Sequence, residues 1–142
     1  MAHAMATGEI DVPADALYAM LADFGDVGWM KGVTKVEVRG EGPGMTRFIY
    51  AGGPESVVEV LESLDPAARR VGYTITKNNP LPVADYHATC TAVALGPTRC
   101  RLEWACDFTP KGADEQAAIA AVKGMYGVLI SWVKEALEGG AS

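Results

Sequence analysis

Arg47 and Glu59 are the first residues in this sequence whose spacing could support chemistry. The turn Gly52-Gly53-Pro54 between them sets them opposite each other on two neighbouring strands, in a register that also pairs Ile49 with Val57. If this face points inward, the ion pair is a costly charged feature on an apolar wall that could orient a polar ligand. If it points outward, the pair is a surface salt bridge of little energetic value. Periodicity alone favours the outward orientation, because Phe48, Tyr50, Val58 and Val60 make the other face the more apolar one.

Tyr86 begins a run of small side chains that indicates internal space. The inward face of the strand at residues 85–95 is predicted to carry Tyr86, Ala88, Cys90, Ala92 and Ala94. Small residues beneath a long helix suggest a cavity, although Trp104, Met125 and Tyr126 could instead fill the space. Tyr86 would point its phenol into this space. Trp104 and Tyr126 would line it, whether it is a solid core or a cavity.

Histidine and cysteine offer little for catalysis or metal binding. His87 falls on the outward face and His3 lies in a predicted loose terminus, so no histidine is placed as a general base. The three cysteines form no C-x-x-C pair, and the hairpin at Gly96-Pro97 sets Cys90, Cys100 and Cys106 opposite Trp104, Ala94 and Ala88. We expect buried reduced thiols, no metal and no cofactor.

The elements that must position these residues follow from periodicity. Alternation over residues 6–12 predicts a first strand, Pro13 begins a short amphipathic helix that Gly25 ends, and residues 27–32 predict a second short helical turn. Further strands are predicted at about residues 35–39, 45–51, 56–64, 70–77, 85–95 and 99–109. The prediction is a seven-stranded antiparallel sheet.

The C-terminal segment has the period of a long helix from Asp114 to Glu138, about 36 Å in length. Its core stripe is Ile119, Val122, Tyr126, Leu129, Val133 and Leu137. A second stripe of small residues, Ala117, Ala120, Gly124, Gly127 and Ser131, is either an exposed face or a contact with another subunit, so a homodimer is kept as a candidate assembly. Residues 1–142 are expected to form a single α+β domain with loose ends, including residues 139–142.

Composition restricts the partners. The 18 acidic and 12 basic residues give a net charge of −6, which repels nucleic acid. No stretch approaches the roughly 20 consecutive apolar residues of a membrane span, and the N-terminus lacks the pattern of a secretory signal. We expect a cytoplasmic protein with no membrane span and no nucleic-acid partner.

The order of elements, together with the stretches Glu59 to Asp65, Gly72 to Ile75, Leu81 to Tyr86 and Trp104 to Pro110, resembles the START-related SRPBCC superfamily. The resemblance covers residues 6 to 138 and is strongest to bacterial polyketide cyclase/dehydrase-like proteins. Plant abscisic acid receptors and the birch pollen allergen are more distant. It implies a helix-grip fold, in which a curved sheet and two short helices surround a long C-terminal helix and a ligand cavity.

The resemblance also implies roles for individual residues. Lys31 matches the receptor lysine that meets the ligand carboxylate, Glu59 and Tyr86 match pocket residues, and the match at Glu59 favours the inward orientation of its face. Gly52-Gly53-Pro54 resembles a gate loop and Pro80-Leu81-Pro82 the position of the latch, but the gate is shorter here and the receptors' His-Arg-Leu latch is absent. Hormone sensing is therefore not expected. Glu103 also aligns with a pocket glutamate, yet the strand alternation turns it outward.

These observations predict a protein that binds a hydrophobic or amphipathic small molecule, such as a lipid, polyketide, steroid or aromatic metabolite, in an internal cavity. The candidate ligand-binding residues are Lys31, Arg47, Glu59, Tyr73, Tyr86, Trp104 and Tyr126. One alternative is a cyclase or dehydratase in which Tyr86 or Glu59 moves protons. Another is a protein-interaction module resembling chaperone activators.

Overall fold

The computed structural model describes residues 1–139. Of the loose end predicted at residues 139–142, Gly139 instead ends the C-terminal helix, and residues 140–142 lie outside the described part. In chain order the elements are β1 (Ala2–Ile10), α1 (Ala14–Ala22), β2 (Lys35–Arg39), β3 (Thr46–Tyr50), β4 (Ser56–Asp65), β5 (Arg70–Lys77), β6 (Val83–Gly96), β7 (Arg99–Pro110) and α2 (Glu115–Gly139). All seven strands pair antiparallel in the order β1-β7-β6-β5-β4-β3-β2. The predicted helix-grip fold is confirmed.

The sheet forms because its strands alternate buried and exposed side chains, which buries one face. On β7 the buried set is Cys100, Leu102, Trp104, Cys106 and Phe108, as the alternation predicts. The predicted hairpin register is also confirmed, since Cys90 pairs with Trp104 and Cys106 pairs with Ala88. The three cysteines are free and buried.

Helix α2 packs its apolar stripe against the sheet, mainly on β1 and less on β7. Val122, Tyr126 and Val133 are buried on this side. Gly8 of β1 allows the close approach, because a Cβ atom there would lie 2.5 Å from Ile130 Cγ2. The small-residue stripe of α2 is exposed.

By length and composition α2 could also cross a membrane, with a mean hydropathy of 1.3 over its most apolar window. Core helices of globular proteins pass the same test, and one side of α2 belongs to the hydrophobic core. This is weak evidence for a membrane segment.

Four sequence-based predictions are wrong in detail. The strand β1 begins at Ala2, so His3 lies in it and contacts Asp107 instead of occupying a loose terminus. Residues 27–32 form turns rather than a second helix. Val12 follows β1. Ala94 is exposed, because the end of the β6–β7 hairpin extends beyond the core.

Candidate ligand-binding cavity

A cavity of about 230 Å³ lies between the concave sheet and α2. Its walls are largely apolar side chains from β3, β4, β5, the segment after β5 and α2, namely Ile49, Val57, Ile75, Leu81, Met125, Leu129 and Trp132. A few polar groups interrupt this lining, namely Lys31, Glu59, Tyr73, Asn79, Tyr86 and Tyr126. An apolar chamber with few polar groups is the usual form of a small-molecule site.

The small residues of β6 are not the walls of this cavity. Ala88 and Ala92 are buried but do not line it, because Trp104 occupies the space above the strand and stacks on Tyr126 with 5.4 Å between the ring centroids. A cavity is present, as the sequence predicted. The run of small residues on which that prediction rested does not form its walls. The space lies nearer β3 and β4.

A β-bulge in β6 directs Tyr86 into the interior. Ala84 pairs with Thr109 and His87 with Asp107, so Asp85 and Tyr86 together oppose Phe108. Asp85 has a φ of 50°, a conformation that aspartate tolerates better than most residues. The bulge leaves Asp85 exposed and buries Tyr86.

Hydrogen bonds join the hydroxyls of Tyr73, Tyr86 and Tyr126 in a row, called here the tyrosine chain. Trp104 Nε1–H donates to the Tyr73 hydroxyl over 3.1 Å, and the Tyr73 and Tyr86 hydroxyl oxygens lie 3.4 Å apart. The Tyr86 hydroxyl forms a hydrogen bond with the Tyr126 hydroxyl. The Tyr126 hydroxyl also forms a hydrogen bond with the Cys106 thiol. All three phenols line the cavity. A single Phe substitution would therefore remove at least one hydrogen bond from a neighbouring buried group.

The tyrosine chain is electrically neutral at physiological pH. Burial raises the pKa of Tyr73, Tyr86 and Tyr126 above the ordinary value, and the neighbouring phenols raise it further. Burial likewise raises the pKa of the Cys90 thiol. These groups can share or donate hydrogen bonds, but they do not supply a charged base or a thiolate nucleophile.

Arg47 and Glu59 face inward, as the resemblance favoured. They are 6% and 8% exposed, and the guanidinium Nε and Nη2 atoms lie 2.8 and 2.6 Å from Glu59 Oε1. Arg47 Nη1 donates to the Phe24 carbonyl oxygen over 2.9 Å, and the guanidinium lies 3.8 Å from the Phe24 ring centroid. Glu59 lines the cavity, whereas Arg47 lies behind this wall and positions Glu59.

The other candidate residues occupy different places. Lys31 reaches the rim of the cavity, but its ammonium lies 2.8 Å from Glu135 Oε2 and its side chain is largely exposed. Trp104 does not line the cavity and supports it through Tyr73 and Tyr126. As predicted, Glu103 and His87 point outward, to Arg101 and Glu62 respectively.

Sequence reasoning missed Asn79, which lines the cavity from the segment that links β5 to β6. The Asn-Asn-Pro sequence at residues 78–80 indicated only a turn. It also missed Trp132 of α2, which flanks the predicted core stripe, and it considered Met125 only as a side chain that could fill the space. Within residues 1–139, no group of three or more His, Cys, Asp or Glu side chains could hold a metal ion.

The curved antiparallel sheet and the long C-terminal helix, with a largely apolar cavity between them, define a helix-grip protein. The chain belongs to the family described as polyketide cyclase / dehydrase and lipid transport, which matches residues 1–138. The predicted family is thus confirmed. Among curated proteins no sequence matches.

Solved structures show the same fold. An uncharacterised protein from Bacillus thuringiensis superposes with a TM-score of 0.83 at 23% identity, covering 95% of this chain and 98% of that one. The di-domain ARO/CYC protein BexL from the BE-7585A biosynthetic pathway gives 0.80 at 23% identity, covering 97% of this chain and 47% of that one. A norcoclaurine synthase from Thalictrum flavum gives 0.74 at 17% identity, covering 99% and 96%.

Proposed function

We propose that this protein binds one uncharged amphipathic small molecule in the cavity beneath α2. The observation that carries the proposal is the combination of a chamber of about 230 Å³ with apolar walls and a row of neutral phenols. Burial of an apolar ligand body there is favourable because it removes both surfaces from water. Glu59 and the phenols would orient the polar end of the ligand.

Membership in a family that includes cyclases and lipid-transport proteins supports this proposal at the level of ligand class. The net charge of −6 disfavours an anionic ligand at long range. The only lysine lining the cavity within residues 1–139 is Lys31, which is paired with Glu135. We therefore favour a neutral ligand over a carboxylate.

A cyclase-like activity is the second candidate, and the tyrosine chain is the observation that favours it. A neutral phenol at the cavity wall can donate a hydrogen bond to a carbonyl oxygen and stabilise negative charge that develops there. Tyr86 would serve as this donor, and the cavity would hold a flexible substrate in a reactive shape. Arg47 donates two hydrogen bonds to one carboxylate oxygen of Glu59. Glu59 is therefore less available as a base.

The proposal can be tested by replacing a cavity-lining side chain of α2 with a larger one. The half-buried Leu129 lines the cavity, so Leu129→Trp should weaken the binding of 2-ethylnaphthalene at least about tenfold, measured by isothermal titration calorimetry. The matched control is Val128→Trp, the same replacement at the adjacent position, which is 45% exposed and does not line the cavity. It should bind like the parent.

Equal affinities in a folded Leu129→Trp variant and the parent would contradict binding in this cavity. No measurable binding to the parent would contradict the proposed function itself. Turnover of a carbonyl-containing substrate that depends on Tyr86, tested with Tyr86→Phe, would instead favour the cyclase-like candidate.

A further inference from the structure

The side-chain amide of Asn79 has one satisfied atom and one unsatisfied atom. Its Oδ1 accepts a hydrogen bond from the Leu81 backbone N–H over 2.9 Å. This contact fixes the orientation of the amide, because the Leu81 N–H can only donate. Nδ2 is consequently turned into the protein, where it is buried and has no hydrogen-bond partner within residues 1–139.

An unsatisfied buried donor is unfavourable and rare in native proteins. Asn79 lies where a ligand could remove this cost, since it lines the cavity beneath α2. It also lines an adjoining depression of about 550 Å³ that is open to solvent, and Leu81 and Tyr86 border both spaces. Asn79 therefore lies on the boundary between the cavity and the exterior.

The segment that carries Asn79 is anchored on either side. Asn78 Nδ2 donates to the Ser56 carbonyl oxygen over 2.7 Å, and the Lys111 N–H donates to the Pro82 carbonyl oxygen over 2.9 Å. Between these anchors, the hydrogen bonds of residues 79–81 are local, from Leu81 N–H to Asn79 Oδ1 and from Val83 N–H to the Leu81 carbonyl oxygen. Because Nδ2 is buried, residues 79–81 must shift to bring it to a ligand, and such a shift need not break either anchor hydrogen bond.

We propose that Asn79 is a specificity residue that donates a hydrogen bond from Nδ2 to an uncharged acceptor, such as a ketone or ester oxygen, on the ligand. This inference rests on the proposed function and narrows its ligand class to neutral carbonyl compounds with an apolar body. The bond satisfies a donor for which residues 1–139 offer no acceptor, so the carbonyl gains affinity relative to a methylene group of similar shape.

The test compares two probes of nearly equal shape, 2-acetylnaphthalene and 2-ethylnaphthalene. The parent should bind the acetyl compound about two- to tenfold more tightly, the range expected for one neutral hydrogen bond. Asn79→Asp keeps the Oδ1 acceptor for Leu81 and replaces the donor with a carboxylate oxygen. It should reduce the affinity ratio to one or below, while 2-ethylnaphthalene still binds. Asn79→Ala should also abolish the preference.

The control is Asn78→Asp, the same change at the neighbouring amide, which already donates to Ser56 and does not line the cavity. It should lower the melting temperature but retain the parent ratio. A parent ratio of one, or a preference retained in both Asn79 variants, would overturn the inference and leave the proposed function intact. Failure of the parent to bind either probe would overturn both. If the variants do not fold, the side-chain amide NMR resonance of Asn79 in the parent decides the matter: 2-acetylnaphthalene should shift it more than 2-ethylnaphthalene does, and equal shifts would overturn the inference.

Discussion

Arg47 and Glu59 are charged side chains in an apolar interior, and each is stabilised there mainly by the other. Their contact is nearly free of solvent, with 7% and 10% side-chain exposure. Removing one partner leaves a buried charge without compensation, whereas replacing both removes the desolvation cost as well. The pair thus contributes more to the placement of Glu59 at the cavity wall than to net stability.

Single substitutions Arg47→Met and Glu59→Met should each lower the free energy of unfolding by about 3–5 kcal/mol. The double substitution should cost clearly less than their sum, with a coupling above about 1 kcal/mol. Urea unfolding of the four proteins measures this coupling. A value near zero would contradict a desolvated ion pair.

Alkaline pH should destabilise the protein through the tyrosine chain. The unfolded chain releases phenolic protons near the ordinary tyrosine pKa of 10.0, but the folded protein retains them because burial raises the pKa of Tyr86 and Tyr126. Stability is therefore fully present below pH 10 and falls as the pH rises above it, by about 1.4 kcal/mol per pH unit for each such tyrosine.

Urea unfolding of the parent and Tyr86→Phe at several pH values above 10 tests this linkage. The variant should be less stable at neutral pH, because it loses the hydrogen bonds of Tyr86 to Tyr73 and Tyr126. Above pH 10 its stability should fall less steeply than that of the parent, by about the contribution of one tyrosine. Identical slopes for the two proteins would contradict the raised pKa of Tyr86.

Among the elements, the strands were predictable because one face of the sheet is buried and the alternation is regular, as in β7. The orientation of β3 and β4 was not, because Phe48 and Tyr50 make the outward face apolar as well. Cationic side chains of the edge strand β2 cover these rings: Arg39 lies 4.9 Å from the Phe48 centroid and Lys35 5.3 Å from that of Tyr50. The periodicity of a single strand does not show that side chains of a neighbouring strand cover these rings.

The bulge at Asp85 and the unpaired amide of Asn79 also depend on tertiary context. Alternation predicted that Tyr86 points inward, but it gave no sign that two residues of β6 oppose one of β7. Similarly, the spacing of Ala88 and Ala92 could not reveal that Trp104 fills the space above them. The fold and the polar residues of the site were thus largely predictable, whereas the position of the cavity was not.

Helix α2 contains two glycines on its exposed stripe, and added methyl groups there meet open space. Gly124→Ala and Gly127→Ala should each stabilise the protein by about 1 kcal/mol, because glycine is a poor helix former. Thermal unfolding measures this gain. A loss of stability accompanied by dissociation in analytical ultracentrifugation would show that this face contacts a second copy of the chain.

Sheet, bulge and helix together form the walls of a largely apolar cavity in an acidic protein. The charge discourages anionic partners at a distance. At short range the cavity wall is largely apolar, and its polar groups include neutral phenols and a carboxylate that is already paired with Arg47. This combination favours the proposed neutral amphipathic ligand.

Methyl-resolved NMR during titration with 2-ethylnaphthalene tests directly whether the cavity beneath α2 binds an apolar ligand. Methyl groups that line the cavity, such as those of Ile49, Val57 and Leu129, should show saturable shifts at a 1:1 ratio. The methyl groups of Val128 and Ala120, on the exposed side of α2, should not move. Shifts confined to that exposed side, or no saturable shifts in the cavity, would contradict binding there.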